Sequence, residues 1–67
     1  MKNPAISFEV MKDDNAPTER RYILRVLRGD KCIEAPRFRF LDEATQEIGG
    51  YIEEFPNQKK FKTIINL

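Results

Sequence analysis

The hydrophobic period of this chain changes once and changes back. Apolar residues alternate with polar ones up to Phe40, recur at helical spacing through Leu41, Ala44, Ile48, Tyr51, Ile52 and Phe55, and alternate again from Phe61. Period two puts successive side chains on opposite faces of a strand, and a three-to-four-residue period puts them on one stripe of a helix. The pattern predicts an α+β fold, a small antiparallel sheet of three to four strands packed on one helix, in the order β-β-β-α-β.

Each segment carries its own punctuation. Ile6, Phe8 and Val10 share one face of a first strand, and Asp13, Asp14, Asn15 and Pro17 then form turn and loop. From Arg20 to Arg28, Tyr22, Leu24 and Val26 form one parity, and Arg21, Ile23, Arg25 and Leu27 the other. Gly29-Asp30 is a two-residue Gly-X connection suited to a type II′ hairpin, so strands two and three are expected to be antiparallel neighbours.

The third strand is expected from about Lys31 to Phe40. Pro36 cannot donate a ladder hydrogen bond, so a bulge is expected there that resets the register. Beyond it Phe38 and Phe40 join the core, while Arg37 and Arg39 join Arg21 and Arg25. Ile33 and Glu34 do not both fit one parity. Asp42 is the expected N-cap of the helix, with Glu43 behind it. Gly49-Gly50 costs on the order of 1 kcal/mol per glycine relative to alanine, so the helix either packs very close to the sheet there or stops. The apolar stripe keeps its phase across the pair, which favours a continuous helix ended by Pro56. The last strand sets Phe61, Thr63, Ile65 and Leu67 on one face.

Size and composition restrict the function classes. A chain of 67 residues is one domain, residues 1–67, with a core worth roughly 3–5 kcal/mol, so self-association as a homodimer is expected to add stability. The single cysteine, Cys32, has no internal partner, and the sequence has no histidine. That removes the usual general base, the commonest zinc ligand and every Ser-His or Cys-His arrangement. The expectation is therefore a cytoplasmic, non-enzymatic protein with no cofactor, metal or membrane association. Asp13-Asp14-Asn15 lacks the rest of a calcium loop and reads as a turn.

The net charge of +1 conceals strong segregation: +3 over residues 1–40, −5 over residues 41–55 and +3 over residues 56–67. With the helix on the face of Phe8, Leu24 and Phe38, the opposite face shows Glu9, Met11, Arg21, Ile23, Arg25, Leu27, Arg37 and Arg39. Guanidinium forks among aliphatic groups make a recognition surface, because the forks pair with carboxylate or phosphate while the aliphatics supply contact area. The partner-binding set is Arg21, Ile23, Arg25, Leu27, Arg37 and Arg39. An alternative acidic face on the helix comprises Asp42, Glu43, Glu47 and Glu54, whose carboxylates can imitate a phosphate track. A nucleic-acid alternative adds Lys59, Lys60 and Lys62 for phosphate contacts and Phe61 for stacking on a base.

The element order resembles integrase arm-binding domains, a three-stranded sheet backed by a helix, and several small phage-encoded inhibitors of host defence systems. The resemblance is of fold alone and transfers no functional residue. The leading expectation is a small regulator or inhibitor that binds a protein or nucleoprotein partner, with a DNA- or RNA-binding domain as the alternative.

Overall fold

The structure, a computed structural model, describes residues 5–67; Lys2, counted above among the basic residues, lies outside them. Strands β1 (Ile6–Lys12), β2 (Tyr22–Arg28), β3 (Lys31–Glu34) and β4 (Arg37–Phe38) precede the helix α1 (Leu41–Glu54), and β5 (Phe61–Asn66) follows it. A 3-10 turn, Thr18–Arg20, interrupts the loop between β1 and β2. No described helix is long and apolar enough to cross a membrane.

The sheet order is β3-β2-β1-β5, and β4 also pairs with β2. The three N-terminal neighbours are antiparallel, but β5 runs parallel to β1, from Ile6 opposite Phe61 to Met11 opposite Asn66. The sheet is therefore mixed, where alternation alone suggested an antiparallel one. Chain direction explains the difference. Up, down and up again leaves the chain at one end of the sheet, and a 14-residue helix rises about 21 Å, close to the ~23 Å of a seven-residue strand. The helix thus returns the chain to the end where β1 began.

The expected third strand is two short strands. Tyr22 pairs with Phe38, Ile23 with Arg37 and Val26 with Glu34, one constant register in which Pro36 falls opposite Leu24. The Pro36 carbonyl accepts from the Leu24 amide at 2.9 Å; the return bond is missing because proline has no N–H, so the ladder breaks without a shift. The register shift lies instead between Val26 and Leu27, which pairs with Cys32 and leaves Ile33 as the additional residue. That bulge moves Glu34 to the helix side and accounts for the parity conflict between Ile33 and Glu34.

The hairpin at Gly29-Asp30 joins Arg28 to its partner Lys31. Gly29 has φ 61°, and no described non-glycine residue has positive φ. This fits type II′, whereas type I′ needs positive φ at both central residues.

Helix α1 runs unbroken through Gly49 and Gly50, without the close approach to the sheet that the glycines suggested. A Cβ at Gly49 would meet nothing within 4 Å, and one at Gly50 would lie 3.8 Å from a Glu47 oxygen. The N-cap is Phe40, two residues before the expected Asp42, and it is 57% exposed instead of joining the core beside Phe38, because it lies beyond the end of β4. Its amide donates to Glu43 Oε1 at 3.2 Å, half of a capping box, since phenylalanine has no acceptor to complete it.

All core residues lie on one side of the sheet: Ile6, Phe8 and Val10 from β1, Leu24 and Val26 from β2, and Ala44 and Ile48 from the helix. Phe8, Val10, Leu24 and Val26 are fully buried, each worth about 1.5–3 kcal/mol of transfer from water. Phe61 stacks on Phe8 with ring centroids 5.8 Å apart, and Tyr51 closes the other side at 6.3 Å. One helix covers one face, and no described helix or strand covers the other.

Candidate interaction surface on the open sheet face

Directly paired residues in neighbouring strands point to the same face, so the registers define the open face in rows. The middle row runs Ile64, Glu9, Arg25 across β5, β1 and β2. On one side lies Lys62, Ser7, Leu27, Cys32, and on the other Asn66, Met11, Ile23, Arg37. Met11, Ile23 and Leu27 are half-buried and Ile64 is exposed.

The central charges neutralise each other. Arg25 Nη1 lies 2.7 Å from Glu9 Oε1, and the Glu9 side chain is only 18% exposed. Contact with the Cys32 side chain, and then with the Glu9 carboxylate, holds the Arg25 guanidinium above its ordinary pKa, so it stays charged throughout the working range. Arg37 is also engaged: its Nη1 donates to Asp13 Oδ2 and to the Arg20 carbonyl, both at 3.3 Å. Asp13 Oδ1 accepts from the Asn15 amide at 3.0 Å, so the Asp13-Asp14-Asn15 turn anchors the loop and Arg37 together.

Of the six residues expected on this surface, the strands bring Ile23, Arg25, Leu27 and Arg37 together. Arg21 precedes β2 and folds back on the loop, with Nη2 3.4 Å from the Ala16 carbonyl and Nε buried without a hydrogen-bond partner. Arg39 lies beyond the end of β4, its guanidinium 5.3 Å above the Phe40 ring. Sequence reasoning did not place Cys32, Ile64 or Asn66 on this surface, and it named Lys62 only for the nucleic-acid alternative. Cys32 reaches the face opposite Leu27 through the tight register of the Gly29-Asp30 hairpin, and Lys62, Ile64 and Asn66 through the pairing of β5 with β1.

The acidic residues divide into two groups. At about 100° per residue, Glu43, Glu47 and Glu54 lie along one flank of α1, and Asp42 lies on its far side. Tyr51 is bordered by Glu34, Glu47 and Glu54. Burial first, and the Glu34 carboxylate next, push its phenol up from 10.0. Asp42 and Glu43 sit in the first turn of the helix, where negative charge is favourable.

Residues of the basic C-terminal cluster separate. Lys59 and Lys60 precede β5 and Lys62 joins the open face, whereas Phe61 points to the helix side against Phe8. A shallow recess of about 230 Å3 lies at the other end of the helix, bordered by Arg28, Glu54, Phe55 and Pro56. Its cation is partly committed, since the Arg28 guanidinium stands 5.7 Å above the Phe55 ring. Comparison of the chain with protein-family models, curated proteins and solved structures finds no match.

Proposed function

We propose that this chain is a small non-enzymatic regulator or inhibitor that docks on a protein or nucleoprotein partner through the open face of its sheet. The observation that carries the reading is the layout of that face: Met11, Ile23, Leu27 and Ile64 surround an Arg25–Glu9 pair that is already neutral. Covering such a centre removes apolar area from water without stranding an unpaired charge. Arg37 and Lys62 stand at the margins, where charge sets orientation and association rate. The carboxylates of the helix are solvated, and Glu43 is spent on the cap, so the helix is the weaker docking surface.

The test is capture of a partner by tagged protein from host lysate, with and without nuclease. Ile23→Lys with Leu27→Lys is expected to lose the partner while keeping the wild-type circular dichroism spectrum. Glu43→Lys with Glu47→Lys is expected to retain it. The reverse pattern would move the interface to the helix.

Nucleic-acid binding is a second reading, favoured by Lys62 on the open face and by Lys59 and Lys60 just before it. Against it, Arg25 and Arg37 already have carboxylate partners. Nuclease-sensitive recovery, with affinity that falls steeply as salt rises, would select this reading.

A further inference from the structure

We propose that the free edge of β5 pairs antiparallel with the β5 of a second copy, in the two-fold register that sets Ile64 opposite Ile64.

The two edges of the sheet differ in kind. The β3/β4 edge carries a bulge at Ile33, a proline at position 36 and the charges of Lys31, Glu34 and Arg37. Each of these obstructs pairing with another chain. Among the described residues, strand β5 has only β1 beside it, so alternate N–H and C=O groups along its outer edge have no described strand partner. Residues 61–67 contain no proline or glycine, and Lys62 is their single charge. Beyond Phe61, which stacks on Phe8, the strand is exposed: Ile64 is 39% exposed on the open side and Ile65 54% on the helix side, and Leu67 just past the strand is 64% exposed. Helix α1 packs against β1, β2 and β4 more than against β5, and leaves Ile65 uncovered.

The sequence of β5 selects a second copy in one register. Antiparallel pairing about Ile64 matches Thr63 with Ile65, Phe61 with Leu67 and Lys62 with Asn66. All seven residues are paired, β-branched side chains meet on both faces, and no charge opposes its like. Placing the axis at Lys62 would set lysine against lysine, placing it at Thr63 would set Asn66 and Leu67 against Lys60 and Lys59, which precede the strand, and placing it at Ile65 would leave Lys62 and Phe61 unpaired. A two-fold axis perpendicular to the sheet closes the assembly at two copies and joins the sheets edge to edge. The edge shares Ile64 with the face proposed for docking, so the two are separated by Ile23→Lys, which lies on that face and away from β5.

Sedimentation velocity over a wide concentration range is expected to show a reversible dimer. Ile64→Lys, which sets two lysines face to face, should weaken it by about tenfold or more. Ile33→Lys at the opposite edge and Ile23→Lys on the flat face should leave it unchanged. A register test does not depend on how well these variants fold. In a Cys32→Ser background, Ile64→Cys is expected to form an oxidative cross-link with itself, because directly opposed strand residues have Cα separations of about 4.5–5.5 Å, within the disulfide range. Lys62→Cys, which faces Asn66, should not. A monomer at every concentration, a dimer indifferent to Ile64→Lys, or equal cross-linking at 62 and 64 would overturn the proposal.

Discussion

Replacing Gly49 and Gly50 with alanine should stabilise the domain substantially. Both are exposed, both lie inside an unbroken helix, and neither has the positive φ that would require glycine. The added methyl at 49 has open space around it, and that at 50 meets only the end of a flexible glutamate at 3.8 Å. No steric cost therefore offsets the gain in helix propensity, about 0.8–1.0 kcal/mol for each glycine replaced. The double variant should be more stable by about 2 kcal/mol. For a domain of this size that is a rise in Tm of roughly 8–16 °C, or in urea a higher midpoint with an unchanged slope. Thermal and urea melts followed at 222 nm measure both. A Tm unchanged or lowered by the double substitution would mean that residues 49–55 do not remain helical in solution, and the reasoning would fail.

Three further outcomes follow from packing and charge. Phe8→Ala empties the centre of the core at a cost of about 3–5 kcal/mol, comparable to the whole stability expected at this size, so its circular dichroism spectrum should be that of an unfolded chain. The raised phenol of Tyr51 contributes stability that is complete below its unfolded pKa of about 10 and is lost as pH rises toward the higher folded value, because the unfolded chain ionises first. Tyr51→Phe should flatten that alkaline loss in urea melts from pH 9 to 11. At the other end of the helix, Glu53 and Glu54 face the negative end of the dipole with no basic residue in the last turn; Glu53→Lys should stabilise by about 0.5 kcal/mol at low salt and less at high salt.

Local signals in the sequence located most elements and faces. The alternation in β1 and β2, the Gly29-Asp30 turn and the phase of the apolar stripe across Gly49-Gly50 all depend on near neighbours, and each appears in the fold. What depends on pairing was hidden. Ile33, rather than Pro36, resets the register, because a proline at an edge needs only to lose one bond, whereas the parity conflict at Ile33-Glu34 must be relieved by an additional residue. The strand positions of Arg25 and Arg37 were legible, but their engagement with Glu9 and Asp13 was not, since it requires distant segments to be laid side by side; Arg21 lies before β2 and turns back within the loop to Ala16. The contribution of Lys62, Ile64 and Asn66 to the open face was hidden for the same reason: nothing near them reveals that β5 lies parallel to β1.

That parallel pairing also orders events in time. The β2–β3 hairpin closes across two residues, and β1 meets β2 after a short loop, but Ile6 and Phe61 must find each other across almost the whole described chain. The entropy of closing so long a loop is paid before its contacts return anything. Strand β5 is therefore expected to dock after the transition state, when the hairpins and helix already form a platform for it. Truncations such as Ile64→Ala should accelerate unfolding and leave the folding rate nearly untouched. The same strand should be the first part of the sheet to detach, exposing the apolar edge of β1 while the rest of the domain remains folded.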